Sequence, residues 1–246
     1  MNYNPLLSIV TATLEISAAV WAFRGPGRKN IVKTTGAILL FLAGYQILEA
    51  LLCTGYLPTS PALLSRIAFM VVAWLPPTGL LLVAQLYPTS TRRIHHYSFA
   101  MYIFCIILVG WIISQRNFVS ESVCMIVFAR YSHPTALYQT YGIFYQTGLL
   151  GMLVLSAYGV TVCDDRHQRL LLGQVLLGSM AFIFPALVTI AVIPIAEDAL
   201  PSIMCHFALL LAVFLVRLVS IERKLTLDPS MEASIPIEPM STGTAG

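Results

Sequence analysis

The chain has 246 residues, of which 58% are hydrophobic and only 10% charged, with a net charge of +3 and a mean hydropathy of +0.82. Soluble domains carry roughly 25% charged residues, so this composition excludes an ordinary soluble domain and indicates a polytopic membrane protein. About seven spans of roughly 20 residues each would consume some 140 residues plus connections, which leaves no room for a second domain.

The apolar runs predict helices over 5–23, 34–54, 62–86, 97–114, 137–162, 170–194 and 199–221. That is an all-α, seven-transmembrane-helix bundle. The start, Asn2-Tyr3-Asn4, has no basic region and no small-residue cleavage site, so the first helix is expected to be a retained anchor. Turn-formers separate the runs: Gly25-Pro26-Gly27, Gly55 to Pro61, Pro88 to Ser90, and Pro194 and Pro201 around Glu197 and Asp198. Pro76-Pro77 in the third helix and Pro185 in the sixth predict bends that free backbone carbonyls for other groups to satisfy. Each bend reads first as a packing kink and otherwise as a hinge or a carbonyl lining a cavity. The longest connection, Gln115 to Ala136, carries Glu121, Cys124, Arg130 and His133 and is long enough to cover the outer mouth of the bundle. Residues 225–246, rich in Pro, Ser, Thr and Glu, read as a disordered cytoplasmic tail after a transmembrane domain of residues 1–224. No internal repeat of the kind many transporters show is visible.

The basic residues predict the orientation. Arg24, Arg28, Lys29, Lys33, Arg92, Arg93, Arg166, Arg169, Arg223 and Lys224 all fall on one side, ten of the fourteen Lys and Arg. Arg217 can snorkel to the same interface, and Arg66, Arg116 and Arg130 fall on the other side. The positive-inside bias places the N-terminus outside and the C-terminus in the cytoplasm of a plasma or bacterial inner membrane.

Gln46 and Glu49 lie three apart on one face of the second helix, and Cys53 extends that face by a turn. A carboxylate in lipid is costly without a partner and marks a functional site by default. At 1.5 Å per residue, Glu49 lies about 8 Å below the outer end of its helix, and Cys205 and His206 about 10 Å below that of the seventh. Arg66, Tyr141 and Tyr145 fall in the same outer half. One reading is an outward-facing polar cavity in which Glu49 pairs with Arg66 or His206 to bind a small molecule or ion. The other is a structural network that locks the bundle. Tyr138, Tyr141 and Tyr145 also fit an interfacial aromatic belt. Glu15, mid-way along the first helix beside Thr11 and Thr13, must face the interior or be protonated, and is a candidate proton relay. Trp74, Met70 and Phe69 read as packing.

Cys53 and Cys124 both fall at the outer surface, where a disulfide could tie the long connection to the second helix. Cys105 and Cys205 read as apolar filler, and Cys163 as cytoplasmic. His95, His96, His133, His167 and His206 show neither HxxxH nor HExxH spacing, and adjacent Cys205 and His206 point about 100° apart, so no metal and no cofactor is expected. Phosphate-loop, nucleophile-elbow and nucleic-acid signatures are missing as well.

The seventh helix has no lysine for a retinal Schiff base, which removes the comparison with microbial rhodopsins. The clustered intramembrane His of ceramidase-like hydrolases is missing too, and no kinase follows as it would in a seven-helix histidine-kinase sensor. The Gln46-x-x-Glu49-Ala50 pattern, the stretch from Pro76-Pro77 to Pro88 before Arg92-Arg93, and Ala199-Leu-Pro-Ser-Ile-Met-Cys205 resemble a bacterial family of small polytopic membrane proteins of unknown function. Its members often begin Met-Cys-Phe-Ser-Ala, unlike Met1-Asn2-Tyr3-Asn4, and often carry a Trp after the Glu that is missing here. The resemblance implies a fold and three positions to watch, without a mechanism. The expectation is therefore a non-enzymatic membrane protein that binds a small molecule or ion, as a sensor or a transporter. The rivals are a structural subunit with a membrane-protein partner or a homo-oligomeric contact, and an intramembrane hydrolase or redox enzyme using Cys205 and His206.

Overall fold

The structure is a computed structural model that describes residues 3–55, 60–87, 92–115, 118–119, 121–125, 128–132, 136–192 and 199–227. Its helices are α1 (Leu6–Arg24), α2 (Lys29–Thr54), α3 (Pro61–Val72), α4 (Leu75–Leu86), α5 (Arg92–Ser114), α6 (Ala136–Val162), α7 (Arg166–Val192) and α8 (Leu200–Leu227). With α3 and α4 taken as one span, seven helices are long and apolar enough to cross a membrane. Between α5 and α6 lies an antiparallel hairpin, β1 (Glu121–Cys124) and β2 (Ala129–Ser132), in the register Glu121 to Ser132 and Cys124 to Ala129. This short sheet corrects the all-α expectation at one point.

The helices outrun their apolar stretches at the basic end. α2 begins at Lys29, α5 at Arg92 and α7 at Arg166, each four or five residues before the expected start, and α8 runs on to Leu227. Lys and Arg are good helix formers, and a helix ends when its hydrogen bonds end, not where its hydropathy drops. The expected disordered tail therefore begins later than 225, and its remainder, 228–246, lies outside the described residues, as do Arg116, His133, Pro194, Glu197 and Asp198. The basic end is also tied together. Arg28 Nε and Nη2 donate to the two Glu222 carboxylate oxygens at 2.6 and 2.9 Å, and His167 Nε2 lies 3.2 Å from the same carboxylate. Arg223 stacks over the Trp21 ring and donates to the last carbonyls of α1.

The third span breaks one turn earlier than its prolines. Ala73 and Trp74 form a turn, and Pro76 and Pro77 occupy the first turn of α4, where a missing N–H costs nothing. A proline forfeits the bond to the carbonyl four residues back, which for Pro77 is that of Ala73. The Cys105 thiol of α5 donates to that carbonyl at 3.3 Å, and Ser98 Oγ donates to the Pro77 carbonyl at 3.4 Å. At the break, α5 thus supplies donors to the Ala73 and Pro77 carbonyls. In contrast, α7 stays one continuous helix through Pro185, so the second expected bend is no interruption.

Apolar side chains fill the bundle axis. Leu39, Leu42, Leu80, Leu82 and Phe182 are buried, whereas Leu6, Phe99, Ile106, Ile107 and Phe184 line the outer faces of their helices. A cavity of about 20 Å³ remains among Ile38, Leu42, Gly79, Tyr145, Met152 and Phe182, too small and too apolar for an organic ligand. On α6, Gly148 lies flat against the Pro76 ring, and a Cβ there would stand 2.3 Å from Pro76 Cβ. Because the ring cannot swing away, Gly148→Ala is expected to destabilise the protein by about 1–3 kcal/mol through overpacking. Thermal unfolding in detergent measures this, with Gly142→Ala, which meets open space, as the silent control.

Candidate functional site

A polar seam runs between α1, α2 and α8. Along α1 the buried positions are Ser8, Thr11, Ala12, Glu15, Ala19 and Ala22, a spacing that puts these six residues on one helical face. That face meets α2 and α8. From α2 come Tyr45, Gln46 and Glu49, and from α8 Ser202 and Cys205, all fully or almost fully buried, with His206 half-buried beside them.

Gln46 Nε2 donates to the Cys205 carbonyl oxygen at 2.6 Å. A carbonyl can only accept, so the amide orientation is settled, and Gln46 Oε1 is left without a donor. Glu49 Oε1 accepts from the Tyr3 hydroxyl at 3.3 Å. The Ser202 and Tyr45 hydroxyls flank the same carboxylate and His206 is its basic neighbour, yet Glu49 Oε2 makes no hydrogen bond. Burial, and then the Glu49 charge, push the Tyr3 hydroxyl up to about 12, so Tyr3 stays a donor. His206 Nδ1 lies 2.7 Å from the Ser202 carbonyl and must carry its proton there, which leaves the buried Nε2 without a partner. Glu15 is 0% exposed, and neither of its carboxylate oxygens is hydrogen-bonded. Both Glu15 and Glu49 lie within electrostatic reach of the Cys205 thiol. One short column therefore collects Glu15 Oε1 and Oε2, Gln46 Oε1, Glu49 Oε2 and His206 Nε2 as buried acceptors without donors.

Two expected members do not join it. Arg66 donates through Nη2 to the carbonyls of Ile112 and Ile113 at 2.9 and 2.6 Å. These are the last carbonyls of α5, where a cation meets the negative end of the helix dipole. Depth placed Arg66 level with Glu49, but its azimuth turns it toward α5. Of the two Glu49 partners considered, His206 is the one that lies within electrostatic reach, and its Nε2 makes no hydrogen bond. Tyr141 and Tyr145 are buried and not in a belt. The Tyr141 hydroxyl donates to the Phe69 carbonyl at 3.3 Å, and its ring stacks on Tyr145 within a cluster around Phe69, Phe118 and Tyr131. Both tyrosines approach Cys205 from the α6 side.

Cys53 and Cys124 are disulfide-bonded, with Cα atoms 5.6 Å apart, while Cys105, Cys163 and Cys205 are free and buried. No hydrogen bond joins the Cys205 thiol to His206 among the described residues, so the two do not form a nucleophile–base pair. No group of three or more His, Cys, Asp and Glu side chains among them could hold a metal ion. The basic end has an open cleft of about 440 Å³ beside Arg28, Lys29, Gln85 and His95, but Arg28 is already committed to Glu222. Sequence reasoning missed Ser8, Tyr3, Tyr45 and Ser202. The Ser8-x-x-Thr11-x-x-x-Glu15 spacing was the available signal for the α1 face. No protein-family model, no curated protein and no solved structure matches the chain.

Arg66→Met is expected to lower stability by about 1–2 kcal/mol through loss of the α5 cap. Thermal unfolding measures that loss. Any response of the protein to cations or pH is expected to survive this substitution, because Arg66 stands outside the seam.

Proposed function

We propose that the protein is a multi-pass membrane protein that binds a small monovalent cation, a proton or an alkali-metal ion, in the seam between α1, α2 and α8. Glu15 and Glu49 are the anionic positions along that seam, Gln46 Oε1 a neutral acceptor, and His206 the imidazole beside Glu49. The carrying observation is the surplus of acceptors. Glu15 is fully buried with both carboxylate oxygens unpartnered, and burying a charge without a partner is among the most costly arrangements a fold can hold. A cation supplies what the protein side chains do not. The five acceptors share this need.

The seam lies in the outer half of the bundle on this reading, with the N-terminus outside. The bias of Lys and Arg to the other end supports that orientation. The Cys53–Cys124 disulfide supports it independently, since it belongs at the end facing the oxidising compartment. Transport and sensing both begin with this binding step.

The test is thermal unfolding of the protein in lipid nanodiscs. Sodium, potassium and lithium are titrated against choline at constant ionic strength, and pH is varied separately. A bound cation is expected to stabilise by about 2.7 kcal/mol at a hundredfold excess over its Kd. Glu15→Gln and Glu49→Gln are each expected to abolish the dependence. The salt and pH arms separate an alkali-metal ion from a proton. A wild-type midpoint indifferent to every cation and to pH returns the seam to a structural role.

A further inference from the structure

The β1–β2 hairpin rests on the residues that surround Glu49. The Ala129 N–H donates to Ser202 Oγ at 3.1 Å, and the Tyr131 hydroxyl lies 3.1 Å from that of Tyr45. Ala129 and Tyr131 are fully buried, while Arg130 between them faces outward. Tyr131 is also within electrostatic reach of Glu49. At the other strand, Cys124 is bonded to Cys53, one turn beyond Glu49 on α2. The covalent anchor and the Tyr131–Tyr45 contact therefore bracket Glu49 along α2. Cys53 and Cys124 are half-buried, open enough for a small reductant, whereas the Cys205 thiol beneath the hairpin is 1% exposed.

We propose that the hairpin is a thiol-sensitive lid over the Glu49 cluster, closed while Cys53–Cys124 is oxidised and released when a dithiol reduces it. What the lid guards rests on the cation reading; that it opens does not. In the opening step, one thiolate of the dithiol attacks a disulfide sulfur and expels the other as a thiolate, which takes a proton. The second thiol of the reagent then attacks the mixed disulfide, closing the reagent into a cyclic disulfide and freeing the second cysteine. Two electrons and two protons pass to Cys53 and Cys124. Without the covalent anchor, non-covalent contacts alone hold the hairpin in place, and local opening becomes frequent.

Cys205 reports on the lid. The protein is treated with N-ethylmaleimide in alkali-metal-free buffer, and alkylation is followed peptide by peptide in three forms: oxidised, reduced with dithiothreitol, and Cys53→Ser/Cys124→Ser. Cys205 is expected to react about tenfold faster in the last two, as a site released by local opening does. Cys105, held between α4 and α5, is expected to keep its slow rate. An unchanged Cys205 rate overturns the lid, and so does a parallel rise at Cys105, which marks general loosening. If the double variant fails to fold, the reduced wild type carries the same comparison. Fast Cys205 labelling without any cation-dependent stability retires the cation reading and keeps the lid; the reverse pair of results retires the lid alone.

Discussion

The 2.6 Å hydrogen bond from Gln46 Nε2 to the Cys205 carbonyl fixes how α2 and α8 face each other. Apolar packing alone would tolerate rotation or sliding of one against the other. With that bond in place, Glu49, one turn along α2, faces His206, the next residue on α8. Ser202, one turn back, is then positioned to accept from the hairpin. The bond is local, but it sets the azimuth of every polar group in the seam, including which face of α1 can cover it.

The remaining polar features obey one constraint, that a backbone group removed from water needs a partner. Where the double proline breaks the third span, the partner comes from α5 as the Cys105 thiol and Ser98 hydroxyl. Where α5 ends, it comes from α3 as Arg66. Where α1 ends, it comes from α8 as Arg223. Each of these three contacts joins elements that are distant in sequence. The seam differs in kind: its unpartnered atoms are side-chain acceptors, which folding did not require to be there. A leucine at position 15 would have packed as well as the leucines around the bundle axis.

The sequence displays depth well and azimuth poorly, and this explains both what was legible and what was not. Seven apolar runs, their order, and the shared level of Gln46, Glu49, Cys205 and His206 follow from hydropathy and rise per residue. So does the placement of Cys53 and Cys124 at the same end of the bundle, one at a helix end and the other in the connection between α5 and α6. Arg66 was assigned to the right level and the wrong neighbour, since counting residues from a helix end says nothing about which helix a side chain turns toward. Tyr141 and Tyr145 looked interfacial by level, but Phe118, Tyr131 and the connection that carries them fold over those rings and make them interior. Helix ends at the basic side were cut short because Lys and Arg end an apolar run without ending a helix. The hairpin was invisible: two four-residue strands with one inward pair, Ala129 and Tyr131, make too short an alternation to stand out.

Glu15 is where the two kinds of information meet. By depth it was an isolated carboxylate in the middle of α1, and its neighbours in sequence, Leu14 and Ile16, are exposed on the outer surface. By azimuth it completes a line with Ser8 and Thr11 that the seam requires. α1 is the most weakly buried of the spans after α5, so the face it does bury carries most of what holds it to the bundle. That face consists of alanine, serine, threonine and one glutamate, with no large apolar anchor. Small residues let α1 approach closely, which brings the Glu15 carboxylate into the α2–α8 seam instead of leaving it room to reach an interface. The helix is thus positioned by packing that exacts a buried charge at its centre, and the occupant that neutralises that charge would also strengthen the attachment of α1. On the proposed reading, binding in the seam and docking of the first helix are the same event.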